Sequence, residues 1–205
     1  YDGKLQPLEP DLIGEFYVLD YWRRKKYDTE YLKKLSHVLW ETPFEFAIFL
    51  YRCIENYGNT KRFQDIFKDG MNILQPEVKS ELSLWLFAML LVNLSNQQPI
   101  EERIETIAKL EQLTQTYPHN EEIALRYAKG LFNLSCDQSL EEGIKTIARL
   151  EQLTQTYPHN EEIVLEYAQG LFNLSCDQPL EEGIKTIARL EQLTQTYPHN
   201  EELTL

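Results

Sequence analysis

The stretch Thr106–Asn120, TIAKLEQLTQTYPHN, decides the fold class of this chain because it returns twice at a constant interval. It recurs as TIARLEQLTQTYPHN at Thr146–Asn160 and again at Thr186–Asn200, so the period is 40 residues. The longer segments Leu131–Glu162 and Leu171–Glu202 differ at only one of their 32 aligned positions. A fixed period of this length is typical of repeat arrays, in which each unit buries its apolar face against its neighbours.

Each unit contains the signals for two helices. Asn120 is a natural N-cap, and the two glutamates that follow it suit the positive end of the helix dipole, which predicts a helix over 121–135. Ser139 and Glu142 form an S-x-x-E capping box, which predicts a second helix over 140–157. Apolar residues recur three and four positions apart in both segments, as in amphipathic helices. One unit is therefore a helical hairpin.

Small and large residues hold fixed places in both helices of a unit, namely Ala128, Leu131, Gly143, Ile147 and Pro158. These places resemble the small, large and terminal-proline positions of the tetratricopeptide repeat. The resemblance implies an all-α fold: a right-handed superhelical solenoid of antiparallel helix pairs, preceded by non-repeat helices. The chain departs from that family in its period of 40 instead of about 34 and in lacking the tryptophan of the first helix. HEAT-like units are the structural alternative.

The repetition also predicts how the chain is organised. We expect a repeat array over 81–205 and, before it, a non-repeat helical lead over 1–80. The predicted helices of the lead are Leu12–Trp22, Asp28–Trp40, Thr42–Gly58 and one near Thr60–Lys68. The predicted units lie near 81–120, 121–160 and 161–200, with a truncated unit at 201–205. Since the chain begins at Tyr1 without an initiator methionine, we expect it to be a fragment of a longer protein.

A short sequence motif in the non-repeat lead indicates which kind of longer protein the chain comes from. Pro7–Glu15 reads PLEPDLIGE and resembles a string in large bacterial STAND-type signalling ATPases, where it precedes tetratricopeptide repeats. The resemblance implies that this chain is the C-terminal sensor portion of such a bacterial switch protein. No GxxxxGK[ST] phosphate loop occurs in the sequence, so the ATPase part would lie outside it.

Charge and composition narrow the classes of partner. The formal net charge is −13, of which residues 96–205 carry −11, and this acidity disfavours nucleic acid. The longest apolar stretch, Leu82–Leu94, is shorter than the ~20 residues that span a bilayer, so we expect no membrane partner. Three cysteines form no disulfide framework, which favours a reducing, cytoplasmic location.

The polar residues that suggest chemistry have simpler explanations. His119, His159 and His199 recur one unit apart, roughly 10 Å at helix-packing distance, which is too far for a shared metal. Every pair of consecutive glutamates opens a predicted helix, where it compensates the dipole. The basic cluster Arg23–Lys26, with Lys33 and Lys34, is either a solvated helix end or a docking patch for the acidic array, for an upstream domain or for an anionic partner. We therefore predict no enzyme, no catalytic residue, no cofactor and no metal site.

The most informative positions are those where the copies disagree. Segments 101–138 and 141–178 differ at six of 38 positions, and three of these lie on the first helix of the unit. In the tetratricopeptide family that helix lines a concave groove, and the resemblance assigns these residues to it: Glu122, Arg126, Lys129, Asn133, Glu162, Glu166, Gln169 and Asn173. A groove that recognises a ligand would change in this way, and so would neutral drift at exposed sites.

Two functions follow from this pattern. The first is a non-enzymatic module that binds a protein or peptide in the concave groove and serves as sensor or scaffold of a larger nucleotide-dependent protein. The alternative is a structural module that self-associates through the exposed end of the array, because near-identical units can stack or exchange.

Overall fold

The computed structural model describes residues 12–25, 28–71, 74–76, 80–200 and 203. Over these residues the chain is helical and contains no β-strand, which confirms the all-α class. The helices are α1 Leu12–Lys25, α2 Thr29–Leu39, α3 Pro43–Tyr57, a π-helical turn Ile66–Gly70, α4 Glu81–Gln97, α5 Ile100–Thr116, α6 Glu121–Cys136, α7 Leu140–Thr156, α8 Glu161–Asp177 and α9 Leu180–Thr196. Pro7–Asp11, Lys26 and the truncated unit 201–205, apart from Leu203, lie outside the described residues.

By packing, the chain divides into two compact units, Tyr1–Gln98 and Pro99–Leu205. Helix α4, which opens the predicted array, packs against α3 inside the first unit. The predicted boundary between residues 80 and 81 comes from the place where the sequence repeat begins. No packing contact tests it, so it stays a prediction. No helix within the described ranges is both long enough and apolar enough to cross a bilayer.

The first unit is built around aromatic side chains. Trp40 lies at the end of α2, and its ring packs edge-on against Phe46 of α3, at 5.1 Å between centroids, and against Phe87 of α4 at 6.3 Å. Its indole N–H donates to the carbonyl oxygen of Leu74 at 2.7 Å, so the polar atom of this buried ring is satisfied. Trp22 of α1 packs in the same edge-on manner against Phe46. These contacts join the end of α2 to α3 and α4, and α1 to α3.

The segment after α3 differs from its prediction. The sequence predicts a regular helix near Thr60–Lys68, but the chain makes a turn there and then the π-helical turn. The carbonyl oxygen of Phe63 accepts from the backbone N–H groups of both Ile66, at 2.9 Å, and Phe67, at 3.2 Å. All three side chains are buried. The 3₁₀-type bond of Ile66, the α-type bond of Phe67 and the π-helical turn that follows thus bury the three side chains together.

The second unit repeats one packing scheme. Each of the helices α5 to α8 packs against the next helix in the chain, and α6 also packs against α8. The predicted caps are confirmed, because Asn120 Oδ1 accepts from the N–H of Ile123 at 3.1 Å and Ser139 Oγ accepts from the N–H of Glu142 at 3.5 Å. Pro179 replaces that serine before α9 with nearly the same backbone angles, φ −54° against −60°.

Candidate functional site

The eight predicted groove residues divide evenly between α6 and α8, two helices that pack directly against each other. None of the eight is buried. Helices α5, α7 and α9 contribute none of them. The predicted residues thus lie on two neighbouring helices and are accessible, which is the least that a binding surface requires.

Five charged residues form a stripe across these two helices, which we call the charged stripe: Glu122, Arg126, Lys129, Glu162 and Glu166. Lys129 Nζ lies 3.8 Å from Glu162 Oε2 on the facing helix, and Arg126 lies 3.9 Å from Glu122 one turn before it. Glu166 is half-buried, and burial raises the pKa of its carboxyl although Lys129 and Arg126 act in the opposite direction. The positive charges near Glu166 therefore do not fully offset the cost of removing its carboxylate from water.

An apolar cavity of about 250 Å³, the end cavity, lies beside the stripe. Its walls include Phe132 of α6, Phe172 of α8 and Leu190 of α9. Two predicted groove residues, Gln169 and Asn173, also line it. An apolar cavity with a few polar groups at its edge is the usual composition of a ligand site.

Phe172 is a site residue that sequence reasoning missed, because its periodicity suggests only a core position. Its side chain is 47% exposed, whereas its copy Phe132 is half-buried. The signal that could have identified it is its spacing. It lies three residues after Gln169 on α8, which places both side chains on one helix face.

A hydrogen bond between an arginine and a tyrosine recurs in the second unit and joins α6 and α8 to the helices that follow them. Arg149 of α7 donates to the phenol oxygen of Tyr127 at 2.6 Å and pairs with Glu111 of α5 at 2.9 Å. Arg189 repeats the bond with Tyr167, also at 2.6 Å. Burial raises the pKa of both Tyr127 and Tyr167 to about 12, so both phenols are neutral at pH 7. These tyrosines are packing and hydrogen-bonding groups at that pH.

The residues that suggested metal or thiol chemistry are dispersed. His119, His159 and His199 are exposed in the turns between helices. Within the described part of the chain, no group of three or more His, Cys, Asp or Glu side chains is placed to hold a metal ion. Cys136 is an exposed free thiol, whereas Cys53 lies in the core of the first unit, where burial raises its pKa.

The two arginines of the basic cluster, Arg23 and Arg24, are paired inside the first unit. Arg23 and Arg24 both bind the carboxylate of Asp20, at 3.0 and 2.6 Å. Arg62 binds the same carboxylate at 2.7 Å, and these hydrogen bonds hold the pKa of Asp20 far below its ordinary value. Because both arginines already pair with the Asp20 carboxylate, this cluster is a weaker candidate for docking an acidic surface than its sequence suggests.

The charged stripe and the end cavity adjoin on α8, since Gln169 at the cavity lies one turn after Glu166 in the stripe. A ligand lying along α8 would meet a partly desolvated carboxylate and an apolar cavity in succession. Comparison of the chain with family models, with curated proteins and with solved structures gives no match.

Proposed function

We propose that the second unit binds a protein or peptide ligand along α6 and α8. In this proposal the helix pairs belong to a right-handed superhelical solenoid of the tetratricopeptide kind, and the ligand lies in its concave groove. The observation that carries the proposal is the adjacency of the charged stripe and the end cavity, on the helix where the copies differ in charge. The two positions that change charge, Arg126/Glu166 and Lys129/Gln169, are accessible, whereas the third differing position of that helix, Ala124/Val164, is buried and changes only in size.

The two parts of the surface indicate the chemistry of the ligand. A lysine or arginine on the ligand would pair with Glu166, whose carboxyl is partly desolvated. A leucine or an aromatic side chain would fill the end cavity between Phe132 and Phe172. We therefore expect a segment that carries a basic residue close to a large apolar one.

For the parent protein we propose a sensor or scaffold role in a cytoplasmic, STAND-type signalling protein, without catalysis or cofactors in this portion. The support is the string Pro7–Glu15. The last residue of that string, Glu15, is buried in α1, where its carboxylate pairs with Arg52 at 2.6 Å and accepts from Asn56 at 2.9 Å. The string therefore ends on a residue that anchors α1 to α3.

A peptide-display screen tests the groove assignment and requires no named partner. Random peptides are selected on the whole chain, and the affinity of each enriched peptide is then measured for the variant Glu162→Gln/Glu166→Gln, which neutralises the two carboxylates of α8 in the charged stripe. We expect the double substitution to weaken binding by about tenfold, or about 1.4 kcal/mol, with unchanged helical circular dichroism. The sequences of the binders should be enriched in a basic residue near an apolar one.

A matched control separates the groove from charge effects elsewhere. Lys185 of α9 is exposed and pairs with Glu182 at 2.8 Å, outside the charged stripe. Glu182→Gln makes the same chemical change at this place and should leave the affinity within about twofold. Equal binding by the double variant and the parent chain would refute the groove assignment.

The rival function is self-association. It is favoured by the exposed apolar residues of α9, of which Leu180 is 82% exposed. Sedimentation velocity at increasing concentration distinguishes the two, because self-association requires a rising mass. The mass of a single chain at the highest concentration would exclude it.

A further inference from the structure

Helices α1, α2 and α3 of the first unit surround a cavity of about 540 Å³, which we call the aromatic cavity. A cavity of this volume is in the range that holds small-molecule ligands. Trp22 and Phe46 in its wall are buried, whereas Tyr17 is 69% exposed, so the cavity opens to solvent on one side. Six aromatic side chains from the three helices line it: Tyr17, Tyr21, Trp22, Tyr31, Phe46 and Phe49.

The aromatic cavity does not come from the end of the repeat array. Its walls are three consecutive helices of the lead, and the sequence of the lead does not recur in the chain. No repeat pattern therefore supplies a further helix to cover it. The space results from how α1, α2 and α3 pack.

The rings of the cavity are set at steep angles to one another. Trp22 meets Phe49 edge-on, with 6.0 Å between the centroids and 76° between the planes. Tyr21 meets Tyr31 in the same manner at 6.1 Å. Neighbouring rings therefore face in different directions around the space. Because the face of an aromatic ring carries partial negative charge, such a set of rings attracts a cation.

A carboxylate also lines the cavity, at the first turn of α3. Glu45 carries the charge among the described lining residues, and Thr42 lies beside it. Both side chains are exposed. Thr42 makes no capping hydrogen bond, and within the described ranges no ion pair reaches Glu45. The aromatic cavity therefore offers a hydrated anion that no cation of the described chain neutralises.

The positive charges near the cavity favour an anionic ligand less than they first suggest. Arg23 and Arg24 already pair with Asp20. Lys25 Nζ lies 5.9 Å from the ring centroid of Tyr31, so one ring of the cavity already receives a cation from the chain. Lys25 is not among the lining residues, whereas Glu45 is. The balance of charge inside the cavity favours a cation.

We propose that the aromatic cavity binds a small organic cation that carries an apolar group, such as an alkyl- or arylammonium. The ammonium lies between the rings and the Glu45 carboxylate, and the apolar group fills the space beside Leu35 and Phe46, which line the same cavity. The proposal goes beyond the proposed function because it concerns the first unit and a small molecule instead of a protein or peptide.

Benzyltrimethylammonium is the probe, because it joins an aryl group to a quaternary ammonium. It is titrated into the full chain while NMR follows the indole N–H signals of the three tryptophans. Trp22 lines the cavity, whereas Trp40 and Trp85 do not and serve as internal controls. The Trp22 signal should move saturably with a Kd below about 1 mM, and the other two should move little.

Two further probes test the charge of the ligand. Phenylacetate and benzyl alcohol carry the same ring with a negative charge or none, and both should bind at least about tenfold more weakly than the cation. Lys25→Ala should not weaken binding of the cation, because Lys25 repels it. An anionic ligand would lose affinity in that variant.

Substitutions in the chain test the two parts of the cavity. Glu45→Gln should weaken binding of the cation about threefold. Glu55→Gln is the matched control, since Glu55 is exposed on the same helix outside the cavity, and it should change the affinity by less than about 1.5-fold. Tyr21→Leu keeps an apolar wall but removes a ring, and it should weaken the cation about threefold and benzyl alcohol much less. Circular dichroism checks that each variant remains helical.

The charged stripe provides an independent comparison. The Glu162→Gln/Glu166→Gln variant should bind benzyltrimethylammonium with unchanged affinity, because both glutamates lie in the second unit. Failure of the groove and failure of the aromatic cavity are therefore distinguishable.

Three results would overturn the proposal. The first is no saturable movement of the Trp22 signal up to about 10 mM probe, which is also the result if another part of the chain fills the cavity. The second is binding of phenylacetate as tight as that of the cation. The third is equal weakening by Glu45→Gln and Glu55→Gln, which would show that the cation responds to the net charge of the chain instead of the cavity.

Discussion

A Cβ atom on Gly183 would lie 2.9 Å from the carbonyl oxygen of Ser175, whereas a Cβ on Gly143 would lie 3.5 Å from that of Ser135. The two glycines occupy the same position in helices of identical sequence, so the difference is in how each helix packs against the one before it. A separation of 3.5 Å is ordinary van der Waals contact, but 2.9 Å to a backbone atom requires one helix to shift. The two equivalent glycine positions therefore differ in whether they have room for a larger side chain.

The first prediction uses this pair of glycines. Gly143→Ala should raise the free energy of unfolding by about 0.5–1 kcal/mol, because alanine restricts the unfolded chain and favours the helix. Gly183→Ala should lower it by about 1 kcal/mol, because the added methyl group forces α9 away from α8. Urea denaturation followed by circular dichroism measures both. If the two substitutions change stability equally, the packing difference is absent in solution.

The second prediction concerns the tie between Tyr127 and Arg149. Tyr127→Phe removes the oxygen that accepts from the guanidinium at 2.6 Å, in a position where the ring is buried. Because hydrogen bonds to charged groups contribute more than neutral ones and Arg149 is partly hydrated, we expect a loss of about 1–1.5 kcal/mol in the free energy of unfolding. Tyr167→Phe should cost a similar amount, since Arg189 makes the same bond.

Tyr51 provides the control for that experiment. It is exposed on α3 in the first unit, and Tyr51→Phe should change stability by less than about 0.5 kcal/mol. Urea denaturation of all three variants gives the comparison. A loss at Tyr127 no larger than the loss at Tyr51 would contradict a contribution from the arginine bond.

The helices and their caps could be predicted because they depend on neighbouring residues in the chain. Asn120 and Ser139 each accept from a backbone N–H three residues later, and both residue and spacing are visible in the sequence. Thr42 shows the limit of such reasoning. It precedes α3 at the predicted place, but its side chain makes no capping hydrogen bond there. The start of the helix follows from Pro43, and the cap itself depends on the rotamer of the threonine.

Exposure could not be predicted, because it depends on what packs against each residue. Periodicity places Ile144 and Ile147 on one apolar face of α7, yet Ile144 is exposed and Ile147 is covered by α8. For the same reason the sequence identified the residues of the charged stripe but not the exposure of Phe172 or the end cavity. The exposure of Phe172 and the end cavity both depend on how several helices pack together. Identical copies of a segment can therefore differ in exposure and in the cavities beside them.

The third prediction follows from the half-buried carboxyl of Glu166, whose pKa burial raises above its ordinary value of 4.5. The folded chain then binds this proton more tightly than the unfolded chain does. Between the ordinary pKa and the raised one, stability contributed by this group therefore falls as pH rises. Glu166→Gln removes the titration and keeps the shape, so the variant should melt at a higher temperature than the parent chain at pH 7.

The higher melting temperature of Glu166→Gln should disappear at low pH. Below about pH 4 Glu166 is mostly protonated in both folded and unfolded chains, and the carboxyl then resembles the amide, so the two melting temperatures should converge. Glu191→Gln makes the same chemical change on the exposed surface of α9 and should change the melting temperature at pH 7 by less than Glu166→Gln does. If Glu166→Gln instead lowers the melting temperature at pH 7, the attraction of Lys129 and Arg126 outweighs desolvation. The charged stripe would then be a stabilising ion-pair network instead of a surface that lacks its ligand.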